Sequence, residues 1–416
     1  MRYNTFMEKY KVIIIGGGAV GLTCAASLHI AGKDVLLLER GERLGRKLAA
    51  TGNGQGNVSN SSLSVVNYFS SNVEMFDRMQ SLLAKYDYAS LKNFYASLGV
   101  LLFADERGRV YPAGRQASAL SDALRFRVQE KGIRTRLNAL VTDVEKTRNG
   151  YLVTAKIADR EEQFFAQSVL LCTGGKAAKN FGTDGAGYSL IKKFGHTCTP
   201  LYPSLVQLKC DVTHTKMLKG IRVNDAVVTA YTGKKKIAHV QGDVIFTDYG
   251  VSGDAIFRIS AFITNKLNEN VSLHIDLLPS MGHNSLLKFL KEKQNNCPNL
   301  EKSELLSGVL NNQVGRAVIK RYGHDLSDIV NGVKDFTLQV TGSLGFDYAQ
   351  VTKGGVPIQE VDEAFESKLA QGLYLAGEIL DIDGECGGYN LHFAFASASV
   401  VANEWNEKFA EGRGQV

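Results

Sequence analysis

The sequence predicts an α/β fold in which a nucleotide-binding domain is interrupted by a second, β-rich domain. Three observations carry this expectation. Residues 11–39 read as one strand-turn-helix-strand unit, the pattern changes to short alternating runs from Gly195 to about Val351, and the first pattern returns near Gly372.

In the first unit, Val12-Ile13-Ile14-Ile15 is the continuous β-branched run of a parallel strand buried on both faces. It breaks into Gly16-Gly17-Gly18-Ala19-Val20-Gly21, followed by a helical stretch Leu22 to Ala31, a turn at Gly32, and a second apolar run, Val35 to Leu38, that ends in Glu39. In the Rossmann βαβ fingerprint each glycine has its own task. Gly16 permits the turn, a Cβ at Gly18 would push a pyrophosphate away from the N–H groups of the helix start, and Gly21 lets the helix approach the sheet. Glu39, roughly 20 positions on, can accept the ribose hydroxyl hydrogens of an adenosine. Arg2, Lys9 and Lys11 precede an uncharged segment through Leu28, as in a secretory signal, but three adjacent glycines suit an apolar signal helix poorly. No other segment approaches the roughly 20 uninterrupted apolar residues that span a bilayer. The expectation is a soluble protein with no membrane partner.

The chain has 416 residues, 44% hydrophobic and 22% charged, with 42 glycines against six prolines, which is enough for two or three domains and shows no disordered bias. A net charge of +6 suits anionic cofactors and permits contact with RNA without being a nucleic-acid signature. The six cysteines (Cys24, Cys172, Cys198, Cys210, Cys297, Cys386) are scattered, with no CxxC pair and no histidine partners at ligand spacing. They read as free thiols of a reducing, cytoplasmic compartment, with neither disulfides nor a metal site.

After Glu39, the stretch Arg40 to Lys47 leads into Thr51-Gly52-Asn53-Gly54-Gln55-Gly56-Asn57, a loop whose unobstructed backbone N–H groups can wrap a flat polar ring such as a flavin. Residues 73–98 and 115–131 read as helices, Val100 to Phe103 with Arg109 to Tyr111 as a hairpin, and Leu137 to Val144, Tyr151 to Ile157 and Gln163 to Phe165 as a small antiparallel meander. A further strand, Val169 to Cys172, enters a backbone turn at Thr173-Gly174-Gly175 that belongs beside the cofactor. Gly182 to Gly187 continues into a helix ending near Phe194, but no apolar strand precedes it, so the chain has no second nicotinamide-binding βαβ unit. In the insert, Leu205 to Leu208, Ala226 to Ala230, Val244 to Thr247 and Ser272 to Ile275 read as strands, and about 284–332 as short amphipathic helices. At the end of the chain, a strand closes in Gly377-Glu378, placing a carboxylate within reach of a ribityl hydroxyl or sugar. Gly388-Tyr389-Asn390-Leu391 then opens a helix through Asn403 whose positive end suits the N1 and O2 side of a reduced flavin.

With these residues in view, the sequence resembles the BaiN/RdsA-type flavoproteins, which include aminoacetone-oxidase-like enzymes. The matching stretches are GGGAVG, GRKLAATGNGQGN, GRVYPAGRQAS, LCTGG, TDGAGYSLIKKFGH, FTDYGVSGDAIF, VTKGGVPIQEV and GLYLAGEILDIDGECGGYNLHFAFASASV, in order across nearly the whole chain. The resemblance implies a glutathione-reductase-like FAD-binding domain over residues 1–194 and 352–416, interrupted at 195–351 by an insert with a β-barrel and a helical part. It implies that Ala19 touches the pyrophosphate, that Glu39 and Arg40 flank the adenosine, and that the Val141 backbone meets the adenine. Arg46, Gly52 and Asn57 would lie along the cofactor, with Glu378 and Leu391 by the ribityl chain and the ring. Two departures stand out. Gly54-Gln55-Gly56-Asn57 replaces the common Gly-Arg-Cys-Asn, which removes any arginine or cysteine from that position, and Ser252-Gly253-Asp254 replaces Ser-Gly-Pro.

The expected activity is that of an FAD-dependent oxidoreductase exchanging a hydride between a small organic substrate and flavin N5. Candidate pocket groups are Tyr389, His392 and Asp381, with Asp383 and Tyr249. His392 reads either as a general acid or base or as a structural hydrogen bonder at the helix start, and Cys386 as a redox thiol or a packed side chain. Two directions of electron flow stay open. One is an oxidase passing electrons to oxygen. The other is a reductase of an activated double bond, a bile-acid-like enone or a uracil in ribosomal RNA, drawing on NAD(P)H that docks transiently. An RNA-binding module with structural FAD is the alternative from another class; the run Lys234-Lys235-Lys236 fits it, and equally fits a solvated hairpin tip.

Overall fold

The computed structural model describes residues 7–410. They form two compact units, one made of the residues up to Leu201 together with those from Val351 onward, the other of Tyr202–Gln350. Residues 195–201 stay with the first unit, where hydrogen bonds tie them. The His196 Nδ1 lies 2.7 Å from the Glu360 carboxylate, and Thr199 donates its backbone N–H to the Gly355 carbonyl at 2.9 Å.

At the centre of the first unit, strand Glu8–Ile15 runs parallel to both Val35–Leu38 and Arg160–Leu171. Leu373–Leu375 adds in parallel to Arg160–Leu171, and Arg134–Arg136 to Val35–Leu38. Val12, Ile13, Ile14, Leu36 and Leu37 are fully buried, as a strand covered on both faces requires. Each such side chain contributes roughly 1.5–3 kcal/mol relative to exposure. Helix Ala19–Ser27 starts and ends earlier than the sequence suggests. It packs on the 22-residue helix Tyr389–Ala410 and on Ala117–Glu130.

Further sequence expectations change. Gln163 to Phe165 and Val169 to Leu171 are not separate strands but one, Arg160–Leu171. Its first half pairs antiparallel with Gly150–Ile157, which in turn pairs with Ala139–Thr147, so the expected meander is continuous with the parallel sheet. The switch from alternating burial (Phe164, Ala166, Ser168) to continuous burial (Val169 to Leu171) marks where the strand becomes covered on both faces, not where it ends. The helical stretch 73–98 is two helices, Met75–Lys85 and Tyr88–Ser97, because Asp87 caps the second by accepting the Ser90 N–H at 2.8 Å. The hairpin Leu102–Ala104 with Arg109–Pro112 is extended by Ser59–Asn60.

The second unit is a closed barrel with strand order Leu208–Cys210, Gly250–Ser252, Lys235–Phe246, Arg222–Thr232, Val271–Asp276, Phe336–Ser343. The first of these begins at Leu208, not Leu205, whose φ of 53° is outside strand geometry. A helix that the sequence reading did not anticipate, Asp254–Ile263, buries Ala255, Ile256, Ile259 and Ile263 against the barrel strands. Helices His283–Asn296, Asn312–Tyr322 and Leu326–Lys334 make up the helical part. The lysine run sits at a hairpin tip, since Thr232 pairs with Lys235 and only Gly233-Lys234 turn the chain. Among the described residues no helix is long and apolar enough to cross a membrane.

Candidate functional site

The carboxyl ends of the central strands converge on the glycine turn. Gly16 has a φ of 113°, and a Cβ there would lie 2.5 Å from the Cys172 carbonyl oxygen; at Gly21 a Cβ would lie 1.9 Å from the Gly16 carbonyl oxygen. Gly18 is different. With φ −80° it carries no strain, and a Cβ there would meet nothing within 4 Å. Gly16 and Gly21 are therefore demanded by the protein's own packing, while Gly18 faces open space at the start of helix Ala19–Ser27, whose first turn has no acidic residue. A helix N-terminus with unobstructed N–H groups is chemically suited to an anionic pyrophosphate.

Glu39 closes one side of this space. Its carboxylate accepts the N–H groups of Gly17 and Gly41 at 2.7 and 2.6 Å, which fixes the side chain and leaves lone pairs for further donors. Beyond it, Arg40 pairs with Asp184 at 2.7 Å, Arg46 donates to the Asn180 carbonyl at 3.0 Å, and Val141 is buried in strand Ala139–Thr147.

On the other side, Gly377 abuts Val20, where a Cβ would come within 2.4 Å, so Glu378 lies next to the glycine turn. Glu378 accepts the Thr352 N–H at 2.9 Å and pairs with Lys47 at 2.8 Å, both partners of that pair being largely buried. Thr352 in turn accepts the N–H groups of Lys176 and Ala177 at 2.7 and 2.9 Å, anchoring the turn after Thr173 and Gly174. The Thr173 hydroxyl is buried against Gly187 and has no hydrogen-bond partner among the described residues. Lys47, Thr352 and Asp184 escape the sequence reading. An isolated lysine, threonine or aspartate carries no local signal, and their partners lie far along the chain.

The Thr51 to Asn57 loop and the last helix meet across Ser59–Asn60. Thr51 caps its own turn through the Leu48 carbonyl at 2.7 Å, Gly52 packs on Asn57, and Asn57 Nδ2 donates to the Ser59 and Val110 carbonyls at 3.0 and 3.1 Å. Gly388 lies so close to Ser59 that a Cβ would sit 2.2 Å from its carbonyl oxygen, and Asn60 donates to the Gly387 carbonyl at 3.3 Å. Asn390 clamps Gly384 with two hydrogen bonds of 2.8 Å, so its amide is committed to the loop and only its backbone faces the helix opening. Leu391 is half-buried beside it and packs on the core.

The candidate acid and base groups are similarly occupied. His392 is fully buried; its Nε2 lies 2.8 Å from the Tyr86 carbonyl and its Nδ1 2.9 Å from the Ser59 hydroxyl. Because a carbonyl can only accept, Nε2 carries the proton and Nδ1 accepts from Ser59. Burial pushes its pKa down to about 4, which favours the neutral ring, and both nitrogens are engaged by groups inside the core. Of the two readings of His392, these contacts suit the structural hydrogen bonder. Asp381 is buried and accepts both the N–H and the hydroxyl of Ser71. Tyr389 is buried edge-on to Tyr68, with ring centroids 5.9 Å apart. Cys386 is half-buried. Tyr249 belongs to the barrel unit, where its carbonyl accepts the Cys210 N–H at 3.0 Å.

A parallel sheet with this glycine turn, continued by an inserted barrel, is the architecture of a flavin-dependent oxidoreductase whose cofactor is FAD. The chain belongs to the HI0933-like protein Rossmann domain family, which it matches over residues 10–404. It is 33% identical over 416 residues to the 3-dehydro-bile acid delta(4,6)-reductase of Clostridium scindens, covering 96% of this chain and 99% of that one. It is 29% identical over 406 residues to the ribosomal RNA dihydrouridine synthase of Haemophilus influenzae, covering 94% of this chain and 97% of that one. Among solved structures, the 3-ketosteroid-delta4-(5alpha)-dehydrogenase from Rhodococcus jostii RHA1 in complex with 4-androstene-3,17-dione shares the fold, with a TM-score of 0.52 at 16% identity, covering 97% of this chain and 98% of that chain.

Proposed function

We propose that the protein is an FAD-dependent reductase of a carbon–carbon double bond conjugated to a ring ketone, supplied with electrons by a transiently docked NAD(P)H in the cytoplasm. The observation that carries this reading is the end-to-end likeness to a bile acid reductase. The crevice supports the cofactor half of it. In this reading the pyrophosphate takes the open space at Gly18 and Ala19, between the turns that Gly16 and Gly21 allow. Glu39 receives the ribose hydroxyls, with Arg40 and Val141 on the adenine side. Arg46, Thr51, Gly52 and Asn57 follow the cofactor, as do Thr173 and Gly174. Glu378, next to Gly377 and held by Lys47, receives the ribityl chain. The helix start at Gly388, Asn390 and Leu391 faces the ring with its positive end. When bound and reduced by NAD(P)H, FAD would supply a hydride from N5 to the electron-poor carbon of the conjugated bond, the neighbouring carbon taking up a proton.

The test is anaerobic mixing of the FAD-loaded protein with NADH or NADPH, then with a 3-oxo-4-ene steroid. Bleaching of the flavin, its recovery on adding the steroid and a product heavier by two hydrogens are expected. A flavin that no nicotinamide bleaches, but that organic amines reduce with uptake of oxygen, points to an oxidase instead. A second reading, reduction of a uracil in ribosomal RNA, draws on the Haemophilus relative and the charge of +6. Filter binding to ribosomal RNA over a salt series separates it, since phosphate contacts weaken steeply with salt and no retention at low salt removes it.

A further inference from the structure

We propose that Arg115 recognises a carboxylate carried by the substrate, an inference that rests on the reductase reading above. Arg115 is exposed and has a φ of 45°, an uncommon conformation for a residue with a side chain. The turn that imposes it is closed by the Arg115 N–H to the Pro112 carbonyl at 2.8 Å. The guanidinium is held from two sides. It lies 4.6 Å from the centroid of the Tyr111 ring, and Nη1 donates to Gln55 Oε1 at 3.1 Å. Of its five N–H donors, that is the one hydrogen bond made among the described residues, and no carboxylate pairs with it there. The neighbouring Arg109 also lies over Tyr111, at 5.9 Å, but its charge is taken by Asp105 through contacts of 2.8 and 2.9 Å. Two arginines thus flank one ring, and only one is left with a charge to offer.

Its surroundings suggest what it holds. Phe103 pairs directly with Tyr111 across the hairpin, so both side chains share a face, and Phe103 is 61% exposed. Tyr111 itself is buried beneath the guanidinium, so the exposed apolar surface on this face of the hairpin is the Phe103 ring. This surface adjoins both segments assigned to the flavin. Gln55 belongs to the Thr51 to Asn57 loop, and Asn60, paired with Arg109, reaches Gly387 at the opening of the last helix. A single unpaired guanidinium presents a planar fork that matches one carboxylate, while the adjacent apolar face suits the hydrocarbon body of a polycyclic substrate. An RNA backbone would call for several free cations in a row, and Arg109 is not free to be one of them.

The test titrates FAD-loaded protein with a 3-oxo-4-ene steroid bearing a side-chain carboxylate, and with its methyl ester, following the flavin absorbance. The wild type is expected to bind the acid at least about tenfold more tightly than the ester, the scale of hydrogen bonds to a charged group. Arg115→Gly, which suits the positive φ, and Arg115→Ala bring the acid down to the ester's affinity, and Arg115→Lys restores part of the difference. Equal binding of acid and ester by the wild type, no binding of either, or a preference that survives in Arg115→Gly overturns the proposal. So does an RNA oligonucleotide whose binding falls in the variants while acid and ester stay alike. Adding NADPH to the same samples separates this from the reductase reading. Acid-selective binding without loss of the double bond refutes the reductase assignment and leaves Arg115 as a carboxylate site.

Discussion

Gly18 and Gly21 stand three residues apart on the same turn, and an added methyl group has opposite consequences at the two positions. At Gly21 the new Cβ would lie 1.9 Å from a backbone oxygen that cannot yield, so helix Ala19–Ser27 must move off the sheet. Gly21→Ala is expected to cost about 3 kcal/mol or more even without cofactor. At Gly18 the φ of −80° accommodates alanine and nothing lies within 4 Å. Gly18→Ala should leave the apoprotein as stable as the wild type, or more stable by about 0.4–1 kcal/mol through a less flexible unfolded chain. The difference emerges when FAD is added. At a free concentration of about 100 Kd, binding stabilises the wild type by about 2.7 kcal/mol; if the methyl group weakens affinity about a hundredfold, the same FAD adds only about 0.4 kcal/mol. Urea unfolding of both variants with and without FAD, together with flavin fluorescence titration, measures each quantity. A Gly18→Ala protein that binds FAD like the wild type, or that unfolds as easily as Gly21→Ala, refutes the argument that this space is reserved for the pyrophosphate.

Glu39→Ala removes the acceptor of the Gly17 and Gly41 N–H groups, which water can partly replace. It is expected to cost about 1 kcal/mol of stability and at least about tenfold in FAD affinity, read by urea unfolding and fluorescence titration. The Lys47–Glu378 pair is largely buried, and a double-mutant cycle with Lys47→Met and Glu378→Gln should give a coupling of about 1 kcal/mol or more in FAD binding; additivity of the two would show that they act separately. The His392 pKa of about 4 lies below the ordinary 6.5, so between those values the unfolded chain binds more protons than the folded one. Its contribution is complete above pH 6.5 and is lost as pH falls toward 4, by about 3 kcal/mol in all. Urea unfolding across that range should show this slope in the wild type and its absence in His392→Gln.

The parts of the fold legible in the sequence are those written in contiguous residues. Val12 to Ile15, the glycine turn and Val35 to Glu39 announce a strand, a tight turn and a second strand because burial on both faces and close backbone approach each demand a particular residue type. What stayed hidden depends on residues distant in sequence. Arg160–Leu171 reads as two strands because its environment changes halfway along. Helix Asp254–Ile263 follows directly on a short strand, and its apolar residues alone do not distinguish a helix from another strand of the barrel. In the site, Glu39 and Glu378 were visible as carboxylates at strand ends. Lys47 and Thr352, which hold Glu378, gain their meaning only when three chain segments meet. His392 looked like a catalytic candidate for its place beside a glycine-rich helix start. The Ser59 and Tyr86 groups that occupy both its nitrogens come from elsewhere in the chain.

The central claim is that this crevice holds one FAD. Titration of folded, flavin-free protein with FAD, followed by visible absorbance and by equilibrium dialysis, tests it directly. Saturation at one FAD per chain in the wild type, with affinity sharply lowered in Gly18→Ala, is the expected result. A correctly folded chain that takes up no FAD, or takes it up equally well with alanine at position 18, contradicts the account.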